Sequence, residues 1–113
     1  GDWSPLSWPA HGVYVSMTYF ITDDPLPKLR ITRSDIEIDA IALFSDGIER
    51  LVLKFESHSA HKPFFDRFIA PVRNGVAEGL NQQLSLMLRD YLASPGVNAR
   101  TDDDKTLILA ARR

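Results

Sequence analysis

The sequence feature that most limits the fold is a nearly continuous apolar run that ends at a turn. The run covers residues 37–44 and stops at Ser45-Asp46-Gly47. A short apolar run of this kind is expected of a strand buried on both faces, because a half-buried strand alternates apolar and polar residues. Such a strand needs other elements on both sides. With 113 residues, the chain can build one core but not two.

Helical spacing follows the turn. Ile48, Leu51, Val52 and Phe55 fall at i, i+3, i+4 and i+7, which predicts a helix from Ile48 onward. Two further helices are predicted over residues 63–74, with an interruption at Pro71, and over residues 76–93. Strands are predicted over residues 13–22, 28–32 and 106–111, and residues 1–12 are predicted to be an irregular lead-in.

Charge and cysteine content exclude several classes of function. A net charge of −2 provides no basic surface for a nucleic-acid backbone, so no nucleic-acid partner is expected. No apolar run approaches the roughly 18 residues that span a bilayer, so no membrane association is expected. The absence of cysteine excludes thiolate metal sites and fits a reducing compartment, so a cytoplasmic location is expected. Any metal ion must be held by oxygen or imidazole ligands.

Asp46 lies where the apolar run ends, a position in which the sheet fixes the backbone and leaves the side chain free to face a cleft. Gly47 beside it permits a tight turn. The spacing also fits a helix cap, because Glu49 follows Asp46 by three residues, as in a capping box worth about 1 kcal/mol. Spacing alone leaves both interpretations open.

Three consecutive carboxylates, Asp102, Asp103 and Asp104, precede the last predicted strand. Like charges in succession repel one another unless they are hydrated or hold a cation. They form either a solvated loop offset by Arg100 and Lys105 or part of a cation site. Because both acidic segments adjoin strands, they could meet at one end of a sheet. Oxygen ligands alone would then favour Mg²⁺ or Mn²⁺, which activate water for attack on a phosphoryl group.

Two segments resemble motifs of one enzyme family. Residues 42–48 resemble the strand and SDG segment of the metal-dependent type 2C protein phosphatases, and residues 103–106 are similar to that family's DNxT segment. Residues 94–106 resemble a bacterial branch of the family. The resemblance implies that Asp46 and Asp103 are metal ligands and that Thr106 supports the loop. Gly47 and Asp104, which stands where the family has asparagine, are implied to be further ligands or supports of the ligands.

The resemblance also implies a fold. That fold is α+β, part of a four-layer α-β-β-α sandwich with mainly antiparallel sheets, and it needs about twice this length. We therefore expect residues 1–113 to be the carboxyl-terminal part of a type 2C phosphatase-like domain. The family's other half carries a DG motif whose aspartate bridges two metal ions, together with an arginine that binds phosphate. Neither can be placed in this chain.

The activity implied by the resemblance is hydrolysis of phosphoserine and phosphothreonine in proteins by the parent signalling enzyme, with two Mg²⁺ or Mn²⁺ ions. The isolated chain is expected to show little or no turnover. The alternative is a non-catalytic interaction or scaffold module with solvated acidic loops. A partial sandwich would expose apolar sheet faces, so association with the missing amino-terminal half or with another copy of the chain is expected.

The remaining candidates are expected to be structural. His58 and His61 would bind a metal only if they shared one helix face and found a third ligand. The cluster of Phe64, Phe65 and Phe68 is predicted to be core, with a lid or substrate-docking surface as the alternative. The tryptophans of the lead-in, Trp3 among them, are predicted to cover an exposed sheet edge.

Overall fold

The computed structural model describes residues 2–8, 31, 33–75 and 78–112. It divides into two compact units, one of Gly1–Ser4 and Glu37–Arg113 and one of Pro5–Ile36. In the described part of the second unit, the Ile36 N–H donates to Ser34 Oγ at 3.2 Å. The predicted strand over residues 13–22, and all of the predicted strand over residues 28–32 except Ile31, lie outside the described residues.

All the elements described below belong to the first unit. In chain order they are β1 Ala40–Phe44, a 3-10 turn Asp46–Ile48, α1 Glu49–Val52, β2 Leu53–Lys54, β3 Ser59–Ala60, α2 Lys62–Arg73, α3 Gln82–Leu92, α4 Pro95–Asn98 and β4 Leu107–Ala111. The strands form two small antiparallel sheets, β1 with β4 and β2 with β3. This mixture of helices and antiparallel strands confirms the predicted α+β class.

The β1–β4 sheet is covered on one face. Phe44 lies opposite Leu107 in the register, and α2 packs against β4 on this inner side. On the outer face Ile41 is 40% exposed and the opposed residues Leu43 and Ile108 are each 56% exposed. The prediction that residues 37–44 form a strand buried on both faces is therefore wrong, because the described residues supply a helical layer to only one side.

Helix α2 supplies three of the eight buried hydrophobic side chains in the described part of the chain. Phe64, Phe65 and Ile69 are buried along it, as the predicted aromatic core requires, and the helix contacts α1, where Val52 is fully buried. Phe68 is half-buried, with its ring centroid 4.7 Å from that of Tyr91. The predicted interruption at Pro71 is wrong. The helix continues to Arg73 because a proline in the last turn removes only one backbone hydrogen bond.

Trp3 packs on α2 and not on a sheet edge, contrary to the prediction. Its ring stacks on Phe65 with the centroids 4.9 Å apart, and its Nε1–H donates to Asp66 Oδ1 at 2.9 Å. The Lys62 ammonium also donates to Asp66. The hydrogen bonds from Lys62 and Trp3 lower the pKa of Asp66 below the ordinary value of an aspartate.

The helix predicted from Ile48 is a single turn. After α1 the chain enters a hairpin in which Leu53 pairs with Ala60, and His58 takes a left-handed φ of 50° in the turn. Leu53 lies off the predicted helical face of Ile48, Leu51, Val52 and Phe55, and it is buried in the strand that pairs with β3. His61 occupies the N-cap position of α2, so the two histidines do not share a helix face.

Helix α3 begins later than predicted, at Gln82 instead of residue 76. Asn81 caps it, because its side-chain Oδ1 accepts from the Leu84 N–H at 2.9 Å. The helix ends at Leu92, close to the predicted residue 93, and Pro95 then starts the short α4, which was not predicted. Within the described residues no helix combines the length and the apolar character needed to cross a membrane.

Candidate functional site

The antiparallel pairing of β1 with β4 brings the two acidic segments together. Phe44 and Leu107 are opposed at one end of the sheet, so the turn after β1 and the loop before β4 leave from the same place. The Ser45 N–H donates to the Thr106 carbonyl at 3.1 Å, and the Thr106 N–H donates to Ser45 Oγ at 3.0 Å. Thr106 thus joins the loop to the end of β1 through its backbone. We call residues 45–47 together with residues 101–106 the junction.

Gly47 is the point of closest approach in the junction. A Cβ built on Gly47 would lie 2.9 Å from the carbonyl carbon of Asp104, nearer still to its oxygen, and 3.4 Å from the Cβ of Asp103. Real Cβ atoms do not approach backbone so closely, so any other residue would push the loop away. The glycine allows the backbone beside Asp46 to lie directly against the backbone of Asp103 and Asp104.

Two hydroxyl groups complete the junction. Thr101 Oγ1 donates to the Gly47 carbonyl at 2.8 Å and accepts from the Asp103 N–H at 3.4 Å. Ser45 Oγ lies 3.5 Å from the Asp104 carbonyl. The role of Thr101 has no signal in the local sequence pattern, because its partner Gly47 lies 54 positions away.

The carboxylates of the junction are exposed, and none of them pairs with a cationic side chain among the described residues. Asp46, Asp102, Asp103 and Asp104 all lie at the surface, and in the part of the chain that the structure describes none of their side chains forms an ion pair. Lys105 forms no ion pair with them in the described residues, and its Nζ donates to Asn98 Oδ1 at 2.8 Å. Among the described residues, therefore, no ion pair offsets the negative charge of the acidic loop.

The helix-cap interpretation of Asp46 is wrong. Asp46 is the first residue of the 3-10 turn, Ser45 occupies the N-cap position of that turn, and Ile48 occupies the N-cap position of α1. Neither cap position makes a side-chain hydrogen bond. A cap at Asp46 would place the first residue of the turn at Gly47, but the turn starts at Asp46, directly after Ser45, whose N–H continues the hydrogen bonding between β1 and the segment before β4. The Asp46 carboxylate is thus left available for another role.

The donor chemistry of the junction fits a hard divalent cation, but the set of ligands is partial. Asp46 and Asp103 offer carboxylate oxygens from adjacent backbones, and such oxygens suit Mg²⁺ or Mn²⁺. Among residues 2–8, 31, 33–75 and 78–112, no three carboxylate or imidazole side chains gather closely enough to hold a metal ion. A metal ion held there by Asp46 and Asp103 would need further ligands.

An open cleft of about 540 Å³ adjoins the junction. One wall is helix α3, with Leu88, Arg89 and Leu92, and the other is formed by residues 102–107. Asp103 and Asp104 line it, so a molecule bound in the cleft would lie beside the junction.

Comparison with known proteins identifies relatives of the chain. The family model for protein phosphatase 2C matches residues 1–89, a stretch that includes Asp46 and Gly47 and ends before Asp103. Over 110 residues the chain is 46% identical to serine/threonine-protein phosphatase 3 of Escherichia coli (strain K12). That stretch is 94% of this chain and 42% of the relative, so the chain spans less than half of the relative's length. No solved structure matches the chain.

Proposed function

The chain belongs to the protein phosphatase 2C family, and from that membership we propose that it serves hydrolysis of phosphoserine and phosphothreonine in proteins by supplying part of a divalent-metal site. Asp46 and Asp103 are the proposed ligands. Gly47 and Asp104 hold the two ligand-bearing backbones together. Bound Mg²⁺ or Mn²⁺ would activate a water molecule and neutralise charge on the phosphoryl oxygens.

The observation that carries the proposal is the close approach of Gly47 to Asp103 and Asp104. A turn that places one exposed carboxylate against a loop with three more builds up like charge, which a divalent cation would relieve. The family membership gives that cation a chemical purpose. The adjoining cleft leaves room for the phosphorylated segment of a protein substrate.

Manganese titration tests the metal site. We expect the chain to bind Mn²⁺ weakly by calorimetry, with Mg²⁺ shifting amide resonances near Asp46 and Asp103, and we expect Asp46→Asn to abolish both responses. Asp90→Asn is the matched control, because it removes an exposed carboxylate that pairs with Arg89 on α3 and should leave binding unchanged. Unchanged metal binding in Asp46→Asn, or no response in the wild type, would reject the site and favour a non-catalytic interaction module.

Turnover provides a second measurement. Because no three carboxylate or imidazole side chains of the described residues gather closely enough to hold a metal ion, we expect the chain alone to hydrolyse p-nitrophenyl phosphate at or near the uncatalysed rate with saturating Mn²⁺. Rapid, Mn²⁺-dependent hydrolysis by the purified chain would contradict the proposal that the site is partial.

We also propose that the outer face of the β1–β4 sheet is an association surface. Ile41, Leu43 and Ile108 are apolar and exposed there, and in the purified protein the available partner is another copy of the chain. Light scattering should give a mass that rises with concentration, and Leu43→Lys should suppress the rise. A monomer at all concentrations would contradict association.

A further inference from the structure

The side chain of Thr101 joins the two halves of the junction. Its hydroxyl donates to the Gly47 carbonyl at 2.8 Å and accepts from the Asp103 N–H at 3.4 Å. A hydroxyl has one donor and two acceptor sites, so both bonds can form together. In the described residues this is the side chain that contacts the residue after Asp46 and the backbone of Asp103 at once.

Thr101 is itself fixed to the core. Its N–H donates to the carbonyl of Val97 at 3.1 Å, at the end of α4, and Val97 is buried. The residue is half-buried, as is its hydrogen bond to Gly47. Thr101 therefore links a core residue to the backbone of the proposed ligand Asp103 and to Gly47, the residue after the proposed ligand Asp46.

The other contacts of the junction hold different atoms. Ser45 binds the backbone of Thr106 and lies near the Asp104 carbonyl. These contacts fix the end of the loop next to β4. They leave the Asp103 amide and the Gly47 carbonyl to Thr101.

We propose that Thr101 is a positioning residue whose hydroxyl sets the placement of Asp103 relative to Asp46 and so determines the affinity for a divalent cation. This inference rests on the proposed function. Residues that orient metal ligands without touching the metal typically change affinity by about 10- to 100-fold when they are lost.

The test compares Thr101→Val, which keeps the shape of threonine and removes the hydroxyl, with Thr101→Ser, which keeps the hydroxyl. We expect Mn²⁺ affinity measured by calorimetry to fall about tenfold in Thr101→Val and to stay near the wild-type value in Thr101→Ser. Thr101→Ala, which also lacks the hydroxyl, repeats the test without β-branching in case the valine variant does not fold.

Asn98→Ala is the matched control. It removes the hydrogen bond from Lys105 Nζ to Asn98 Oδ1 and the one from Asn98 Nδ2 to the Ala93 carbonyl at 3.1 Å, without touching Asp103 or Gly47. It should lower the metal-free melting temperature and leave Mn²⁺ affinity unchanged. Equal loss of affinity in Asn98→Ala and Thr101→Val would overturn the positioning role, as would wild-type affinity in Thr101→Val. No Mn²⁺ binding by the wild type would overturn the proposed function itself.

Discussion

The aromatic core on α2 and the junction are held together in opposite ways. Phe65 is 2% exposed and lies against the rings of Trp3, Phe44 and Phe64, so that region depends on filled volume. The junction buries no carboxylate and depends on backbone contact at Gly47 and on hydroxyl hydrogen bonds. Side chains in a core can shift slightly as long as its volume stays filled. At the junction, a single added atom on Gly47 would separate the two backbones. Damage to the two regions should therefore be separable in experiment.

The largest expected effect is in the core. Phe65→Ala should lower the free energy of unfolding by about 3–5 kcal/mol, because it removes a buried ring and leaves a cavity. Denaturant unfolding measures this loss, and Leu86→Ala, at a 45% exposed position on α3, should change it by less than about 0.5 kcal/mol. The folded fraction of Phe65→Ala should still bind Mn²⁺ like the wild type. If its affinity falls as well, the two regions are not separable.

A smaller loss of stability with a larger loss of metal binding is expected at the junction. Gly47→Ala places a methyl group against the Asp104 carbonyl, which should cost roughly 1–3 kcal/mol and separate the two loops. Calorimetry should show that Mn²⁺ binding is lost. Gly96→Ala is the control, because a Cβ there meets nothing within 4 Å inside α4. It should stabilise the chain slightly, by about 0.4–1 kcal/mol. Equal behaviour of the two variants would contradict the close approach.

The smallest effect is at the exposed rim of the core. Hydrogen bonds from Lys62 and Trp3 lower the pKa of Asp66 in the folded chain. The carboxylate therefore stabilises the fold at pH values above the unfolded pKa of about 3.9. This stabilisation is lost as the pH falls through the lower pKa of the folded chain. Asp66→Asn should therefore melt slightly below the wild type at pH 7, and the difference should vanish at strongly acidic pH.

Trp3→Phe sharpens the same comparison. It keeps a ring against Phe65 and removes the indole N–H that donates to Asp66. In the Trp3→Phe background, Asp66→Asn should change the melting temperature at pH 7 by less than it does in the wild type. The stabilisation from the ring packed on Phe65 should stay. A difference between wild type and Asp66→Asn that persists unchanged to pH 2 would show that the stabilisation does not come from the charge.

The core was predictable from sequence where local spacing determines the outcome. Helix α2 and strand β4 were placed correctly because Phe64, Phe65 and Ile69 share one helical face and residues 107–109 are consecutive apolar residues. The start of α3 has a signal in the sequence, because Asn81, the residue before its first turn, is of a type favoured at helix N-caps. The hairpin after α1 had no comparable signal, because residues 48–55 fit a helical period and Leu53 also fits a strand.

Local spacing did not predict what packs on each face of β1 or which distant residues meet at the junction. The apolar character of β1 indicates that its faces can be buried, but not what lies on each side, and Leu43 is exposed. At the junction, local spacing left the roles of Asp46 and Asp103 open; the resemblance to the phosphatase family predicted them as ligands, and that stays a prediction. The roles of Ser45 and Thr101 depend on partners 54 to 61 positions away, which no local pattern encodes.

Those separations also determine when the junction can form during folding. Closing a loop of more than 50 residues lowers the entropy of the chain before the contact can stabilise it. Helices α2 and α3 instead form from residues that are neighbours in the sequence. The helices should therefore appear early, and the pairing of β1 with β4 late. On a ribosome, the proposed ligands would stay apart until β4 had emerged. If the proposed site binds a metal ion, binding should report the pairing of β1 with β4, because that pairing brings the two carboxylates together.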